Sequence, residues 1–403
     1  MNSNTSNIET DDYNFLIQNL NNAKVIENIG GIIFIGLLMI LGIPGNTVAL
    51  YVYLQKYKPS THRTFIVCLA IVDLATCGVT MPFFIVVLRY PITFPDGDIC
   101  RLFHFVTYAL CLGSVFILIT IATERYRKVC IPHGIQLSVK MSQYICILDL
   151  MAACCFSWPA IVMYGNKSYR AASNRTSGIE CTITDNFVDT NYPTYFNFVL
   201  LFVFVASFIS LTIIYILIGK QILRMKSRSS KRNQMPKFFL DETVRTQTTE
   251  FSSSKYLEGL ETIQTTKEES GIMSFTLYTD NRCEVLDGNI NTNSRSDEQN
   301  IDKGKRRKQR QKTITVTRTL FIITVVFVCS FLPHLALRIT AFLNKNFMKN
   351  LPFPGIAAYQ TFRWTFLINS MANPIIYGFR DRKFLREVSK LYGSFSNKCL
   401  NRK

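Results

Sequence analysis

The chain has 403 residues, of which 48% are hydrophobic and only 18% are charged, and its net charge is +18. A soluble chain of this length would form about two ordinary domains. Here the apolar residues instead form seven long runs, and each reaches the ~20 residues that a membrane-spanning helix needs. The composition favours an all-α membrane protein and disfavours a soluble enzyme or a nucleic-acid-binding protein.

The seven runs predict a bundle of seven transmembrane helices, which we number spans 1 to 7. They are Ile29–Leu54, Phe65–Leu88, Phe103–Ala122, Tyr144–Tyr164, Phe196–Gly219, Ile314–Leu343 and Ile356–Phe379. Buried helices of a soluble protein would show charged solvent faces at the helical period, and these runs show almost none.

Composition divides the chain into five parts. Residues 1–27 are polar and predict a disordered extracellular segment, and residues 28–224 hold spans 1–5. Residues 225–312 are rich in Ser, Thr, Asn and charge, and predict a disordered third cytoplasmic loop. Residues 313–379 hold spans 6 and 7. Residues 380–403 alternate apolar and basic residues, which predicts a short amphipathic helix at the membrane surface and a cytoplasmic tail.

Lysine and arginine set the predicted orientation, because they concentrate on the cytoplasmic side of membrane proteins. The loops after spans 1 and 3 and the C-terminal tail are basic, whereas the N-terminal segment is acidic. We therefore expect a plasma-membrane protein with its N-terminus outside. Glycosylation sequons at Asn4, Asn166 and Asn174 all fall on the predicted outer side.

The twelve cysteines leave one predicted intrachain disulfide once this topology is applied. Most of them lie within spans or on the reducing side. Cys100, at the outer start of span 3, and Cys181, in the loop before span 5, face the oxidising compartment. Their pairing would hold the outer loop across the mouth of the bundle.

Polar residues within the spans mark the predicted interior of the bundle. Span 2 contains one acid, Asp73, and a carboxylate in mid-membrane costs ~2.5–3.5 kcal/mol unless it is paired. In span 7, Asn369, Asn373 and Tyr377 are spaced by four and share one face beside Pro374, which bends the helix. These side chains need polar partners inside the bundle.

Spans 3 and 6 connect the outer and inner ends. Thr107, Ser114 and Arg125 share one face of span 3, although Thr107 and Arg125 are ~27 Å apart along the helix axis. Span 6 carries His334 and Arg338 on the same stripe as Phe331, and Pro333 makes this helix the predicted hinge. For Asp149 in span 4 we expect only a polar partner near the inner side.

Two other classes of function are disfavoured. The chain has four histidines, no phosphate-binding loop and no zinc-spaced cluster, so catalysis has few groups to use. Transporters show repeated halves and several midplane charges, and no repeat is visible across the seven runs. A membrane transporter is the remote alternative to a receptor.

Four motifs, each in a different span, resemble those of the rhodopsin-like (class A) G-protein-coupled receptors. They are Gly45-Asn46, Leu69-Ala70-Ile71-Val72-Asp73, Glu124-Arg125-Tyr126 and Asn373-Pro374-Ile375-Ile376-Tyr377. Trp158 and the Cys100/Cys181 pair fit as well, and the resemblance covers about residues 29–390. The loop around Cys181 looks like the hairpin of peptide receptors.

The resemblance implies two internal sites. An inner sodium site, the single cofactor-like site expected, would comprise Asp73, Ser114, Asn369 and Asn373. A G-protein switch would comprise Glu124, Arg125, Tyr126, Tyr215 and Tyr377. At rest Arg125 is held by Glu124. On activation Arg125 meets the G protein, Tyr215 and Tyr377 close on it, and span 6 moves outward.

The chain departs from the family pattern at two positions. Phe331 stands where a Trp is usual, and Ser207 of span 5 stands where a proline is usual. Both departures concern the connection between pocket and hinge.

The expected ligand is anionic. Amine receptors of the family carry an Asp where this chain has Thr107, and opsins carry a Lys where it has Leu367. The outer ends offer four arginines, namely Arg89, Arg101, Arg338 and Arg363. Arginines that line a cavity bind carboxylate or sulfate in bidentate fashion. The alternative is that they pair with Glu180, Asp185 or Asp189, or face water.

We therefore expect a receptor for a neuropeptide with an acidic group or a free C-terminus, with an anionic lipid or small acid as the second candidate. The candidate ligand site comprises Thr107, Phe331, His334, Arg338 and Arg363. Expected partners are a heterotrimeric G protein, arrestin, receptor kinases and membrane lipids.

Overall fold

A computed structural model describes residues 2–170, 177–234, 292–344, 347 and 350–400. In this part of the chain, six helices are long and apolar enough to cross a membrane. They are Asn14–Lys56, Thr61–Arg89, Gly97–Cys130, Val139–Met163, Tyr192–Met225 and Thr313–Leu343. Predicted spans 1–6 fall within these helices, apart from the last residue of span 4, which begins a strand.

The first half of the chain is helical up to a hairpin. Its helices are α1 (Asn2–Lys56), α2 (Thr61–Ala75), α3 (Met81–Arg89), α4 (Gly97–Cys130), α5 (Val139–Ser157) and α6 (Pro159–Met163). One π-helical turn, Thr76–Thr80, joins α2 to α3. Strands β1 (Tyr164–Arg170) and β2 (Ser177–Ile183) then form an antiparallel hairpin, with Tyr164 opposite Ile183.

The second half continues with α7 (Asp185–Val188), α8 (Tyr192–Gln234), α9 (Thr292–Leu343), α10 (Phe353–Phe362), α11 (Ile368–Arg380) and α12 (Arg382–Leu400). We call the end of the bundle that carries β1 and β2 the hairpin end. The opposite end, where α4 finishes, is the Arg125 end.

Residues 220–311 form a unit separate from the bundle of residues 1–219 and 312–403. Residues 225–234 and 292–312 are helical, where the sequence predicts a disordered loop. Both segments are rich in Lys, Arg and Gln, which favour helix, and both continue a helix that is already nucleated. Residues 235–291 of the predicted loop lie outside the described residues.

The prediction of disorder for residues 1–27 also differs from the structure, because α1 begins at Asn2. The extension is attached to the hairpin end. The Asn28 amide donates to the carbonyl of Leu88 at 3.2 Å, and the Asn21 amide donates to the carbonyl of Arg89 at 3.2 Å. These bonds satisfy carbonyls at the end of α3 that have no partner within the helix.

The seventh apolar run, predicted as one span, is broken into two helices. A 3-10 turn, Thr365–Leu367, separates α10 from α11. Two backbone carbonyls at the break accept hydrogen bonds from side chains. The carbonyl of Arg363 accepts from the His334 ring at 2.5 Å, and the carbonyl of Phe362 accepts from the Thr365 hydroxyl at 3.0 Å. The backbone therefore forms the tighter 3-10 hydrogen bond from Leu367 N to Trp364 O.

Glycines of α1 allow this helix to approach its neighbours closely. A Cβ added at Gly31 would lie 2.8 Å from the backbone oxygen of Gln360 in α10, and one added at Gly45 would lie 3.1 Å from Pro374 in α11. α1 thus holds both halves of the broken seventh run.

The Gly31→Ala substitution should therefore destabilise the bundle, because the new methyl group meets backbone atoms that cannot rotate away. We expect the thermal midpoint of detergent-purified protein to fall by several degrees. Gly36→Ala is the matched control, since nothing lies within 4 Å of a Cβ at Gly36 in the same helix. An equal midpoint for both variants would contradict the close contact.

Candidate functional site

Two arginines, Arg338 of α9 and Arg363 between α10 and α11, lie near each other at the hairpin end, where the sequence predicts a ligand cavity. Arg338 donates to Asn197 Oδ1 at 2.7 Å, and Arg363 donates to Gln360 Oε1 at 2.9 Å. The two guanidiniums repel each other, and Tyr164 interacts electrostatically with both. Every partner named here is neutral.

Neither arginine forms an ion pair with a carboxylate among the described residues. Arg363 instead places its guanidinium over the Trp364 ring, 4.6 Å from the centroid. Arg338 is exposed to solvent. The positive charge of this cavity is therefore not neutralised by the described part of the chain.

The acids of the outer loop have other contacts. Glu180 pairs with Lys24 of α1 at 3.1 Å. Asp185 accepts a hydrogen bond from the Ser168 backbone at 3.0 Å, and Asp189 is exposed. Among the described residues, none of these acids forms an ion pair with Arg338 or Arg363, whereas Arg338 is exposed, as expected if it faces water.

Two of the four outer arginines are separate from this cavity. Arg101 pairs with Asp98 at 2.8 Å and lines a different cavity of about 400 Å³ beside the start of α4. Arg89 is exposed at the end of α3. Of the four outer arginines, only Arg338 and Arg363 lie near each other.

The other predicted ligand residues use their polar groups within the bundle. The Thr107 hydroxyl donates to the carbonyl of Phe103 at 2.7 Å. His334 Nδ1 carries a proton, because it donates to the carbonyl of Arg363. Phe331 is buried, with its ring 4.6 Å from Phe327. The polar groups of Thr107 and His334 are therefore already used within the bundle.

Several neighbours of the two arginines were not singled out from the sequence. Besides Asn197 and Gln360, they include His104, whose ring stacks on Tyr164 at 4.0 Å, and Tyr108, whose hydroxyl lies 2.8 Å from that of Tyr164. The sequence does hold one signal that could have identified Asn197, which is its polar amide within the apolar run of span 5. Aromatic residues are too common in such spans to be informative.

The disulfide between Cys100 and Cys181 is present, with the two Cα atoms 5.6 Å apart. It joins the first turn of α4 to β2. Backbone bonds from Phe94 N to Ile179 O at 3.0 Å and from Ile179 N to Ile92 O at 2.8 Å fix the same strand. The predicted disulfide is therefore confirmed, and it attaches the hairpin to α4.

Asp73 lies in a polar centre midway along the bundle and is fully buried. Asn373 of α11 donates to Asp73 Oδ2 at 2.6 Å, and Asn46 of α1 donates to the backbone carbonyl of Ser370 at 2.8 Å. Ser114 and Asn369 are buried too. The α2 helix and α11 are therefore joined by a buried hydrogen bond.

The polar centre contains buried oxygens without a hydrogen-bond partner among the described residues. They are Asp73 Oδ1, Asn46 Oδ1, Asn369 Oδ1 and Asn373 Oδ1. Such oxygens are costly to bury unpaired, and carboxylate and amide oxygens are ligands of hard cations. The chemistry of these oxygens therefore suits a hard cation.

At the Arg125 end, Arg125 Nε lies 2.8 Å from Glu124 Oε2, and both side chains are almost fully buried. Tyr126 of the same motif is partly buried. Tyr215 interacts electrostatically with Arg125, but the direct contacts of Tyr215 and Tyr377 are with other residues. The Tyr215 hydroxyl accepts from Thr324 at 3.2 Å, whereas the Tyr377 ring packs on Tyr53, with centroids 5.5 Å apart.

Asp381 connects α12 to α1. Its Oδ1 caps α12 by accepting from Lys383 N at 2.9 Å, and its Oδ2 accepts from the Tyr57 hydroxyl at 2.6 Å. Burial raises the pKa of Tyr57, and the Asp381 carboxylate raises it further, so this hydroxyl remains a donor at physiological pH. In α12, Phe384 packs inward while Leu385 is exposed.

The remaining predicted positions are placed as follows. Asp149, for which a polar partner was expected, accepts a hydrogen bond from Thr120 of α4 at 2.9 Å. Trp158 is exposed at the junction of α5 and α6. Asn166 is exposed on β1. Asn174 and the side chain of Asn4 lie outside the described residues.

Comparison with known proteins decides the class. Residues 45–377 match the model of the family described as 7 transmembrane receptor (rhodopsin family). The chain belongs to this family. It is thus a multi-pass membrane receptor, a class of proteins that are not enzymes.

The chain is similar to several curated receptors at low identity. Human neuropeptide S receptor is 25% identical over 189 residues, which cover 47% of this chain and 48% of the relative. Probable G-protein coupled receptor 34 of Mus musculus is 26% identical over 49% of this chain and 52% of the relative. Human galanin receptor type 1 is 33% identical over 27% and 32%. The matches span about half the length of the first of these relatives.

Loss of the disulfide should impair the hairpin end. In Cys100→Ser/Cys181→Ser, β2 loses its covalent attachment to α4, and we expect lower surface expression and a lower thermal midpoint. Cys155→Ser, which removes an exposed free thiol, is the control. Free thiols at both positions in folded wild-type protein, found by mass spectrometry, would contradict the pairing.

Proposed function

We propose that this receptor binds an extracellular ligand with an anionic group, most simply a neuropeptide, and activates a heterotrimeric G protein. The observation that carries the ligand class is the pair Arg338 and Arg363, which lie near each other and have only neutral partners among the described residues. An anion relieves their repulsion and gains charge-assisted hydrogen bonds. Neuropeptide S and galanin receptors are named for peptides, which supports a peptide over an anionic lipid or small acid.

The proposed membrane arrangement follows from this function. α10, the 3-10 turn and α11 together form the seventh span. The N-terminus lies outside at the plasma membrane, so the arginine cavity opens to extracellular ligand. α12 lies along the cytoplasmic membrane surface, where its basic residues meet anionic lipid. Arrestin and receptor kinases are proposed as further partners at the Arg125 end.

Activation is proposed to change the contacts of Arg125. At rest Glu124 holds this arginine, and Tyr377 packs on Tyr53 away from it. Ligand binding moves α9 outward about Pro333, so that Arg125 is released toward the G protein and Tyr215 and Tyr377 close on it. The cation that the Asp73 centre fits, proposed to be sodium, would favour the resting arrangement.

The function is tested by nucleotide exchange. Purified receptor in lipid nanodiscs should accelerate GTPγS binding to at least one Gα class when a peptide library with free C-termini is added. Solute flux in liposomes with no exchange on any Gα would refute the receptor function.

Arg338→Ala and Arg363→Ala should each weaken agonist potency about ten- to a hundredfold, because each removes a charge-assisted contact. Arg89→Ala, which removes an exposed arginine outside the cavity, should leave potency unchanged. Amidated analogues of the active peptide should lose potency on wild type and lose less on the two cavity variants. Full potency of both variants at normal expression, or a cationic best agonist, would refute the anionic ligand.

Asp73→Asn should abolish stabilisation by sodium, because the carboxylate that attracts the cation is lost. We expect wild type to melt at a higher temperature in sodium chloride than in N-methylglucamine chloride, and the variant to melt equally in both. Asp149→Asn is the control, since it changes a different acid within a span. An unchanged sodium response in Asp73→Asn would exclude the site.

A further inference from the structure

The Glu124 carboxylate is divided between two sets of partners. Oε2 lies 2.8 Å from Nε of Arg125. Oε1 accepts from the Thr61 hydroxyl at 2.9 Å and lies 2.5 Å from Nζ of Lys128. Lys128 also donates to the Thr61 hydroxyl at 2.7 Å. Each carboxylate oxygen therefore has its own contacts.

The two sets differ in directionality. The N–H of Arg125 does not point at Oε2, and neither atom has a hydrogen-bond partner among the described residues. This contact is therefore a Coulombic attraction without a directed bond. The side chains of Thr61, Glu124 and Lys128 form a closed triangle. In it, Oε1 accepts a directed hydrogen bond from Thr61 and has an ion-pair contact with Lys128, and Lys128 donates a hydrogen bond to Thr61.

The geometry of the triangle is independent of α9. Lys128 lies one turn along α4 from Glu124, and Thr61 is the first residue of α2. An outward movement of α9 changes neither separation. Arg125 can thus leave while the two contacts to Oε1 remain.

We propose that Lys128 is a positioning residue that keeps Glu124 neutralised and in place after Arg125 has left it. This inference rests on the proposed G-protein function. Glu124 is 1% exposed, and a buried carboxylate that loses its only cation is strongly destabilising. With Lys128 present the charge remains compensated, so the active conformation costs less and the ligand-independent activity is higher.

An ordinary surface role accounts less well for Lys128. Lysines four residues after a glutamate often form solvated pairs of little energetic weight. Here the ammonium contacts oxygens of two side chains that are both buried, Thr61 and Glu124. The lysine thereby links α2 to the switch motif of α4.

Lys128→Met is the informative variant, because it removes the charge and retains an unbranched apolar stem. Its ligand-independent nucleotide exchange should be about two- to fivefold lower than wild type, the size expected for a partly exposed ion pair. Lys128→Arg should retain most of the activity. Lys140→Met, which removes an exposed cation at the start of α5, should retain all of it.

A double-mutant cycle separates this role from general destabilisation. Glu124→Gln removes the carboxylate, so adding Lys128→Met to it should have no further effect on exchange. The inference is overturned by an unchanged exchange rate in Lys128→Met at equal surface expression. An equal fall in the Glu124→Gln background would overturn it as well.

A conformational readout distinguishes failure of the inference from failure of the proposed function. A trifluoromethyl-phenylalanine at Arg318, exposed on α9, reports outward movement by ¹⁹F NMR without any G protein. If no Gα responds but Lys128→Met lowers the outward population, the G-protein function fails and the positioning role stands. If Gα responds and neither signal changes with the variant, the positioning role fails.

Discussion

The structure depends on the satisfaction of polar groups inside an apolar bundle. The hydrogen bond from Asn373 to Asp73 joins α11 to α2, and the bond from Asn46 to the carbonyl of Ser370 joins α11 to α1. In hydrocarbon, such groups have no water with which to form hydrogen bonds. The helices are therefore held in the one arrangement that brings these side chains together, and the glycines of α1 permit the approach.

The two ends of the bundle differ in whether their charged side chains have partners of opposite charge. At the Arg125 end, the buried charges of Glu124 and Arg125 compensate each other, with Lys128 adding a second cation. At the hairpin end, Arg338 and Arg363 meet amides and aromatic rings instead. A satisfied ion pair suits a contact that must be stable until a signal arrives, whereas an unneutralised pair suits a cavity that must attract a ligand.

Residues of α9 and of the broken seventh run connect these ends. The bond from His334 to the carbonyl of Arg363 ties α9 to the break between α10 and α11, directly beside the arginine cavity. Further along α9, Phe331 and Phe327 pack against each other, and Thr324 meets Tyr215. A ligand that draws Arg338 and Arg363 together thus acts on the helix that carries the proposed hinge.

The sequence by itself determined the class of molecule, six of its membrane helices, the disulfide and the interior position of Asp73. These features follow from apolar length, from motif order and from the cost of a charge in hydrocarbon, which are local properties. The sequence could not determine that α1 extends to Asn2, that the seventh run breaks at Trp364, or that Glu180 pairs with Lys24 rather than with an arginine. Only the tertiary structure decided these, because each depends on which distant group satisfies a carbonyl or a charge, and that choice is made by packing.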